Sequence, residues 1–192
     1  MKVSVKKVAA AVTLAAALVI TTTAPGAVVT RSTVEYTIPQ VQLVRDDGKQ
    51  VRLADELNDG RPVVMTFIFT TCTSICPLLS QTLARLQSKL GADRDRVHLV
   101  SITIDPEEDT PARLAEYARE LHAGPEWQHY TGTVQAIIAT ARAFNVDRGD
   151  KMSHTPVILV RPAPGKSWIR FDGFVTADEL LREVQREVLA SR

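Results

Sequence analysis

The chain has 192 residues, 23 basic and 22 acidic side chains, 5% aromatic residues and only two cysteines. Near-balanced charge without a basic stripe, and few rings on which bases could stack, exclude nucleic acid as the natural partner. Two cysteines are too few for the multi-bridge framework that staples small exported domains.

At the N-terminus, Lys2, Lys6 and Lys7 precede an uncharged run from Val8 to Ile20, and small, turn-prone residues follow from Thr21 to Ala27. A basic start, a 13-residue apolar core and small residues at a cleavage point predict a secretory signal peptide over residues 1–27. The run is shorter than the ~20 residues that span a bilayer. Continued to Val29 it reaches 22 residues and would serve as an uncleaved anchor, but it then crosses the Pro25-Gly26 break. Cleavage near Ala24 or Ala27 is the reading adopted. Both routes export the body of the protein, to a periplasm or to the outer face of the cytoplasmic membrane. Without the three leader lysines, 20 basic and 22 acidic side chains remain, a formal charge of −2. The remaining ~165 residues, 28–192, suffice for one domain with a sizeable core.

Residues 28–43 read as an extended lead-in, with a short strand over Val34–Ile38. Asp46-Asp47-Gly48 is a turn between the alternating stretches Val41–Val44 and Gln50–Leu53, which predicts a hairpin. Val63–Phe69, introduced by Arg61-Pro62, is apolar at nearly every position and reads as a central strand buried on both faces. Leu79, Leu83, Leu86 and Leu90 recur at spacings of four, three and four, a helix over Leu78–Leu90 stopped by Gly91. Val97–Ile104 is a second strand. Thr110-Pro111 opens a helix to about His122, with Thr as N-cap and Pro in the first turn. A further helix runs from Thr133 through Ala143. Pro156–Val160 and, more weakly, Ile169–Gly173 are strands joined by a turn at 161–166. Thr176-Ala177-Asp178-Glu179 is a capping-box pattern that opens a last helix to about Leu189. Strands alternating with helices indicate an α/β sandwich with a partly parallel sheet.

The two cysteines stand four residues apart, Cys72-Thr-Ser-Ile-Cys76-Pro77, directly after the Val63–Phe69 strand. Positions i and i+4 of a helix share a face. Both sulfurs can therefore address one object: a metal ion, each other, or a partner's thiol. Strand, cysteine loop and helix in succession are how a thioredoxin-like fold presents its reactive site. A disulfide closing three residues would constrain the unfolded chain very little, so a structural staple is the poor explanation. Of the four histidines, His98, His122 and His129 read as ordinary core or solvated residues. His154 immediately precedes the Pro156–Val160 strand, which in such a sheet starts beside the cysteine loop. Two thiolates and an imidazole would suit copper, and Cu(I) in particular. Spacing alone leaves His154 evenly between ligand and ordinary histidine. Asp105 and Asp109, with Glu107 and Glu108, form an acidic cluster, read first as acids at the positive end of the following helix.

Together, Phe69-Thr-Thr-Cys72-Thr-Ser-Ile-Cys76-Pro77, Ser101-Ile-Thr-Ile-Asp105-Pro-Glu-Glu-Asp109-Thr-Pro111 and His154 before an apolar strand resemble the Sco (SenC) family of copper-binding thioredoxin-fold proteins. The resemblance runs from about Val34 to Leu189. It implies a thioredoxin-like central sheet flanked by helices with an N-terminal extension or hairpin, and one copper, Cu(I) or Cu(II), held by Cys72, Cys76 and His154. It also implies a metallochaperone that delivers copper to the CuA centre of cytochrome c oxidase, so that the partners are the CuA-bearing subunit and a thiol reductant or another copper chaperone. Such a protein is no enzyme. Some family members have thiol-disulfide or redox-sensing roles, so the alternative is a thiol-disulfide oxidoreductase using Cys72 and Cys76 on an oxidase subunit or another exported protein. A peroxide-reducing enzyme is a poorer match, because Thr-Thr-Cys72 lacks the Thr-x-x-Cys spacing. The chain departs from the family in having Ser153-His154 where Asp-His is common. Thr155-Pro156 resembles the Thr-Pro of thioredoxins, whose proline is cis and faces the active cysteines. The low aromatic content and absence of a sticky stripe favour a monomer; the resemblance and the export reading together place it next to the membrane.

Overall fold

Val63–Ile68 forms a strand in which all six side chains are buried, as a segment apolar at nearly every position demands. Its polar member, Thr66, donates its hydroxyl to the Val157 carbonyl at 2.8 Å, so burial leaves no orphan. This computed structural model describes residues 29–147 and 149–186. The leader reading over 1–27, and the expected helix end at Leu189, lie outside them.

The strands in chain order are β1 (Thr30–Val34), β2 (Gln42–Arg45), β3 (Gln50–Arg52), β4 (Val63–Ile68), β5 (His98–Thr103), β6 (Trp127–Gly132), β7 (Val157–Arg161) and β8 (Trp168–Asp172). They make one sheet in the order β1-β8-β7-β4-β5-β6-β2-β3. β4, β5 and β6 run parallel; the other pairs are antiparallel. The helices are α1 (Leu53–Leu57), α2 (Ile75–Leu90), α3 (Pro111–Glu120), α4 (Val134–Ala143) and α5 (Ala177–Val184). Alternation along β4 divides its side chains between two cores. Met65 and Phe67 pack with α1 and α4 residues such as Leu57, Ile137 and Ala141. Val64 joins Leu79, Leu83 and Leu86 of α2 and Leu180 and Val184 of α5 on the other face.

Local signals place most of these elements. Thr110, Thr133 and Thr176 each accept a backbone N–H at a helix start, and Thr176 with Glu179 completes the reciprocal capping box. The hairpin pairs Leu43 with Val51 around Gly48, whose φ of 83° suits the turn. Three features differ from expectation. The lead-in strand is Thr30–Val34 rather than 34–38, because β8 offers an antiparallel edge there and Tyr36 and Ile38 are used instead as side-chain packing. The polar-looking Trp127–Gly132 is a strand, enclosed between β5 and β2. Residues 53–57 turn into the short α1, burying Leu53 and Leu57. His98 and His129 are buried sheet residues, each with Nδ1 3.5 Å from a carboxylate, Asp59 and Asp46 respectively. His122 is exposed at a helix end with φ 53°.

Candidate functional site

The antiparallel pairing of β4 with β7 matches Thr66 to Ile158, so the segment leaving β4 and the segment entering β7 meet at one end of these central strands. The first carries Cys72 and Cys76, the second His154. Both cysteines are free thiols. α2 begins at Ile75, three residues ahead of the expected start, which puts Cys76 in its first turn and leaves Cys72 in the loop before it. Pro77 is tolerated there because first-turn amides have no intrahelical partner to lose.

Those unpartnered amides explain the thiols' different characters. Ser74, the N-cap residue, gives no side-chain cap; the Cys72 sulfur takes that place and accepts the Cys76 N–H at 3.4 Å. Partial burial alone would raise the Cys72 thiol, but N–H groups of Cys76, Ser74 and Ile75, with the Cys76 thiol, outweigh it and hold the pKa below the ordinary value. Cys76 is buried beside Ile68, Phe69 and Leu114. Burial pushes its pKa far up, only partly opposed by the Phe69 N–H that donates to its sulfur at 3.4 Å. The pair is thus one partly accessible sulfur ready to ionise and one buried sulfur that keeps its proton. Iodoacetamide applied to the reduced chain is expected to label Cys72 first, at a rate rising through a pH below that of an ordinary thiol. Peptide mass mapping checks this, and equal labelling of both cysteines would contradict the asymmetry.

His154 is buried at the end of a 3-10 turn, Lys151–Ser153. Its Nε2 lies 3.1 Å from the Phe67 carbonyl. A carbonyl can only accept, so the proton sits on Nε2 and the lone pair on Nδ1. The ring borders a cavity of about 230 Å³ against Ile137, Ile138 and Ala141 of α4. The structure therefore brings the thiols together and His154 to the same end of the central strands. Among the described residues no three Cys, His, Asp or Glu side chains already stand as a metal-binding group. The donor types suit a soft ion such as Cu(I), so the residues fit copper by chemistry rather than by prior arrangement. The Thr155–Pro156 peptide is trans.

Two acids read from sequence as helix-terminal charges have a different place. Asp109 is wholly buried. One carboxylate oxygen accepts the Thr70 hydroxyl at 2.5 Å and the other the Thr103 hydroxyl at 2.6 Å, while the Thr70 N–H lies 3.1 Å and 3.3 Å from the two. Thr70 is two residues before Cys72, so Asp109 ties the cysteine loop to the end of β5. Asp105 accepts from Lys151 Nζ at 2.6 Å, and Lys151 lies 5.8 Å from the Phe69 ring centre. That pair holds the turn before His154 over the same strand end. Tyr117 of α3 also borders the thiols and shares a 2.8 Å hydrogen bond with Ser80 of α2. Sequence reasoning missed Thr70, Thr103, Lys151 and Tyr117; only the acidic cluster itself was a visible signal.

The sequence model of the SCO1/SenC family matches residues 30–189. The SCO1 protein homolog of Bacillus subtilis (strain 168) is 34% identical over 104 residues, 54% of this chain and 53% of that protein. The match spans 40% to 53% of the length of three such curated relatives. Among solved structures, Arabidopsis thaliana ScoI with copper bound superposes with a TM-score of 0.64 at 29% identity, over 76% of this chain and 94% of that one. BsSco, described as a member of the Sco family of cytochrome c oxidase assembly proteins in which a disulfide switch was identified, gives 0.68 at 25% identity, over 81% and 95%. The fold is accordingly thioredoxin-like, with helices on both faces of the sheet.

Proposed function

Because the chain belongs to the SCO1/SenC family, we propose that it is a copper carrier: it holds one copper ion through Cys72, Cys76 and His154 and delivers it to the CuA centre of cytochrome c oxidase. The observation that carries this reading is the pair of free thiols at the head of α2, where the Cys76 backbone N–H donates to the Cys72 sulfur at 3.4 Å. The copper-bound Arabidopsis relative supports the choice of ion, and BsSco supports the assembly role. Cys72 meets the incoming ion first, being the accessible and more readily ionised thiol. Cys76 must then give up its proton, so loading releases protons and weakens in acid. With its Nε2 proton held by Phe67, His154 offers Nδ1. Delivery follows by ligand exchange with the CuA-bearing subunit, and a reductant or another copper chaperone lies upstream, since a Cys72–Cys76 disulfide destroys the site. The chain acts outside the cytoplasm, after removal of residues 1–27. Among the described residues no helix is long and apolar enough to cross a membrane.

The unequal thiols also favour a second reading, thiol-disulfide exchange. The Cys72 thiolate would attack a disulfide of an exported protein and release one partner thiolate. Cys76 would then attack the mixed disulfide, leaving Cys72–Cys76 oxidised and the partner a dithiol.

Copper stoichiometry and affinity of the reduced, leader-free chain beside His154→Ala separate the two. One ion per chain, with binding weakened about a hundredfold or more in the variant, is expected, since losing even an outer-shell partner costs ~10–100-fold. Absence of stable copper, or binding indifferent to His154, would transfer the assignment to thiol exchange.

A further inference from the structure

The ties that hold the cysteine loop and the His154 turn share one atom. The Thr103 hydroxyl, wholly buried at the end of β5, donates to Asp109 Oδ2 at 2.6 Å and accepts the Asp105 N–H at 2.9 Å. A hydroxyl has one proton to give, so Asp109 takes it and a lone pair remains for Asp105. On one side the path continues through the Asp109 carboxylate to the Thr70 N–H and hydroxyl, two residues before Cys72. On the other it continues through the Asp105 carboxylate to Lys151 Nζ at 2.6 Å, in the turn that ends at His154. Parallel pairing of Ile68 with Thr103 sets this joint beside the exit of β4.

Most of this chain is closed to water. Thr103, Asp105 and Asp109 are buried, and only Lys151 at its outer end keeps 39% of its side chain exposed. A surface lysine ordinarily carries its ammonium into water; this one turns inward onto a buried carboxylate. Each buried link left unmade would cost the desolvation of its polar group, so the chain holds its members at fixed separations. It joins three segments far apart in sequence: the exit of β4, the exit of β5 and the approach to β7.

We propose that Lys151, Asp105 and Thr103 are positioning residues, which fix the His154 ring and the Cys72 loop relative to each other through one hydrogen-bonded frame. Loosening the frame at Lys151 is then felt at Thr70, on the far side of β5. The consequence for copper rests on the carrier reading; the coupling between the two arms exists in the metal-free chain as well. Adjacency alone does not demonstrate coupling, whereas variants that cut one path at two points do.

The test compares Lys151→Met, Lys151→Arg, Thr103→Val and Thr103→Ser with the wild type, each reduced and metal-free, with thermal unfolding to verify the fold. In the wild type the His154 Nε2–H, held by the Phe67 carbonyl, should exchange slowly enough with water to give an NMR resonance. Lys151→Met should lose that resonance, and Lys151→Arg, which keeps a cationic donor, should retain it. On the far arm, Lys151→Met and Thr103→Val should each speed exchange of the Thr70 N–H about threefold or more, by easier local opening. Thr103→Ser keeps the hydroxyl and should exchange as the wild type does. Both substitutions interrupt one path, so their combined effect on Thr70 should fall short of the product of the two. Lys151 is partly exposed, so its variants decide the matter even where Thr103→Val does not fold. Lys151→Met should also weaken Cu(I) binding about tenfold, the low end of the ~10–100-fold attached to outer-shell partners. An unchanged Nε2–H resonance or wild-type Thr70 exchange in Lys151→Met would overturn the proposal, as would fully multiplicative effects in the double variant. A wild-type chain that binds no copper sinks the carrier reading alone, since both exchange measurements need no metal.

Discussion

A Cys72→Ser chain is expected to bind Cu(I) on the order of a thousandfold more weakly than the wild type, well beyond the ~10–100-fold attached to outer-shell partners. The substitution removes the accessible donor and replaces a soft sulfur by a hard oxygen that Cu(I) disfavours. It also removes the one thiol that gives up its proton readily, leaving only a buried sulfur whose ionisation burial opposes. Structure should change little, because a serine hydroxyl can still accept the first-turn amides of α2. Competition against a Cu(I) chelator of known affinity, with circular dichroism to verify the fold, measures the effect. Tight one-to-one binding by the serine variant would remove Cys72 from the site. Cys76→Ser should lose copper as well, and at a stability cost, since a hydroxyl would be placed among Ile68, Phe69 and Leu114.

Asp109→Ala is expected to cost about 3 kcal/mol of folding stability, the largest loss from any single polar residue near the site. Its carboxylate serves the Thr70 N–H, the Thr70 hydroxyl and the Thr103 hydroxyl. Each buried donor left unsatisfied costs ~1–3 kcal/mol, partly recovered where the hydroxyls rotate to other acceptors. Asp109→Asn keeps one accepting oxygen but turns an amide toward hydroxyl donors, so a smaller loss of about 1–2 kcal/mol is expected. Urea unfolding measures both. Because Thr70 opens the cysteine loop, the alanine variant should also narrow the difference in alkylation rate between Cys72 and Cys76. Unchanged stability would show that Asp109 holds nothing together.

What the sequence made legible was local. α2 announced itself through Leu79, Leu83, Leu86 and Leu90, and all four are buried. The threonine caps lie within three residues of the amides they serve. β6 was not legible, because Trp127-Gln-His-Tyr-Thr-Gly alternates poorly and its burial comes from β5 and β2 closing on both sides. At the site, i and i+4 spacing foretold the thiol pair but not its inequality, which depends on how deeply Phe69 and Leu114 enclose one sulfur. His154 could be suspected from its strand; that its ring meets the Phe67 carbonyl, 87 residues away, could not. Asp109 was mistaken for a helix-end charge because its partner Thr70 is 39 residues distant.

The exit of β4 has a consequence for redesign. The Phe67 carbonyl meets His154, the Phe69 N–H meets Cys76, and the Phe69 carbonyl accepts the Cys72 N–H at 3.1 Å. All three attachments are main-chain groups, identical whichever side chains stand at 67 and 69. The mount is therefore blind to residue identity. Other buried apolar residues of similar volume can replace those phenylalanines without unfastening the donors, and at position 72 a donor can be exchanged for one of different hardness while the scaffold stays put. On the carrier reading proposed above, metal preference rests on three side chains mounted on a strand end that does not read them.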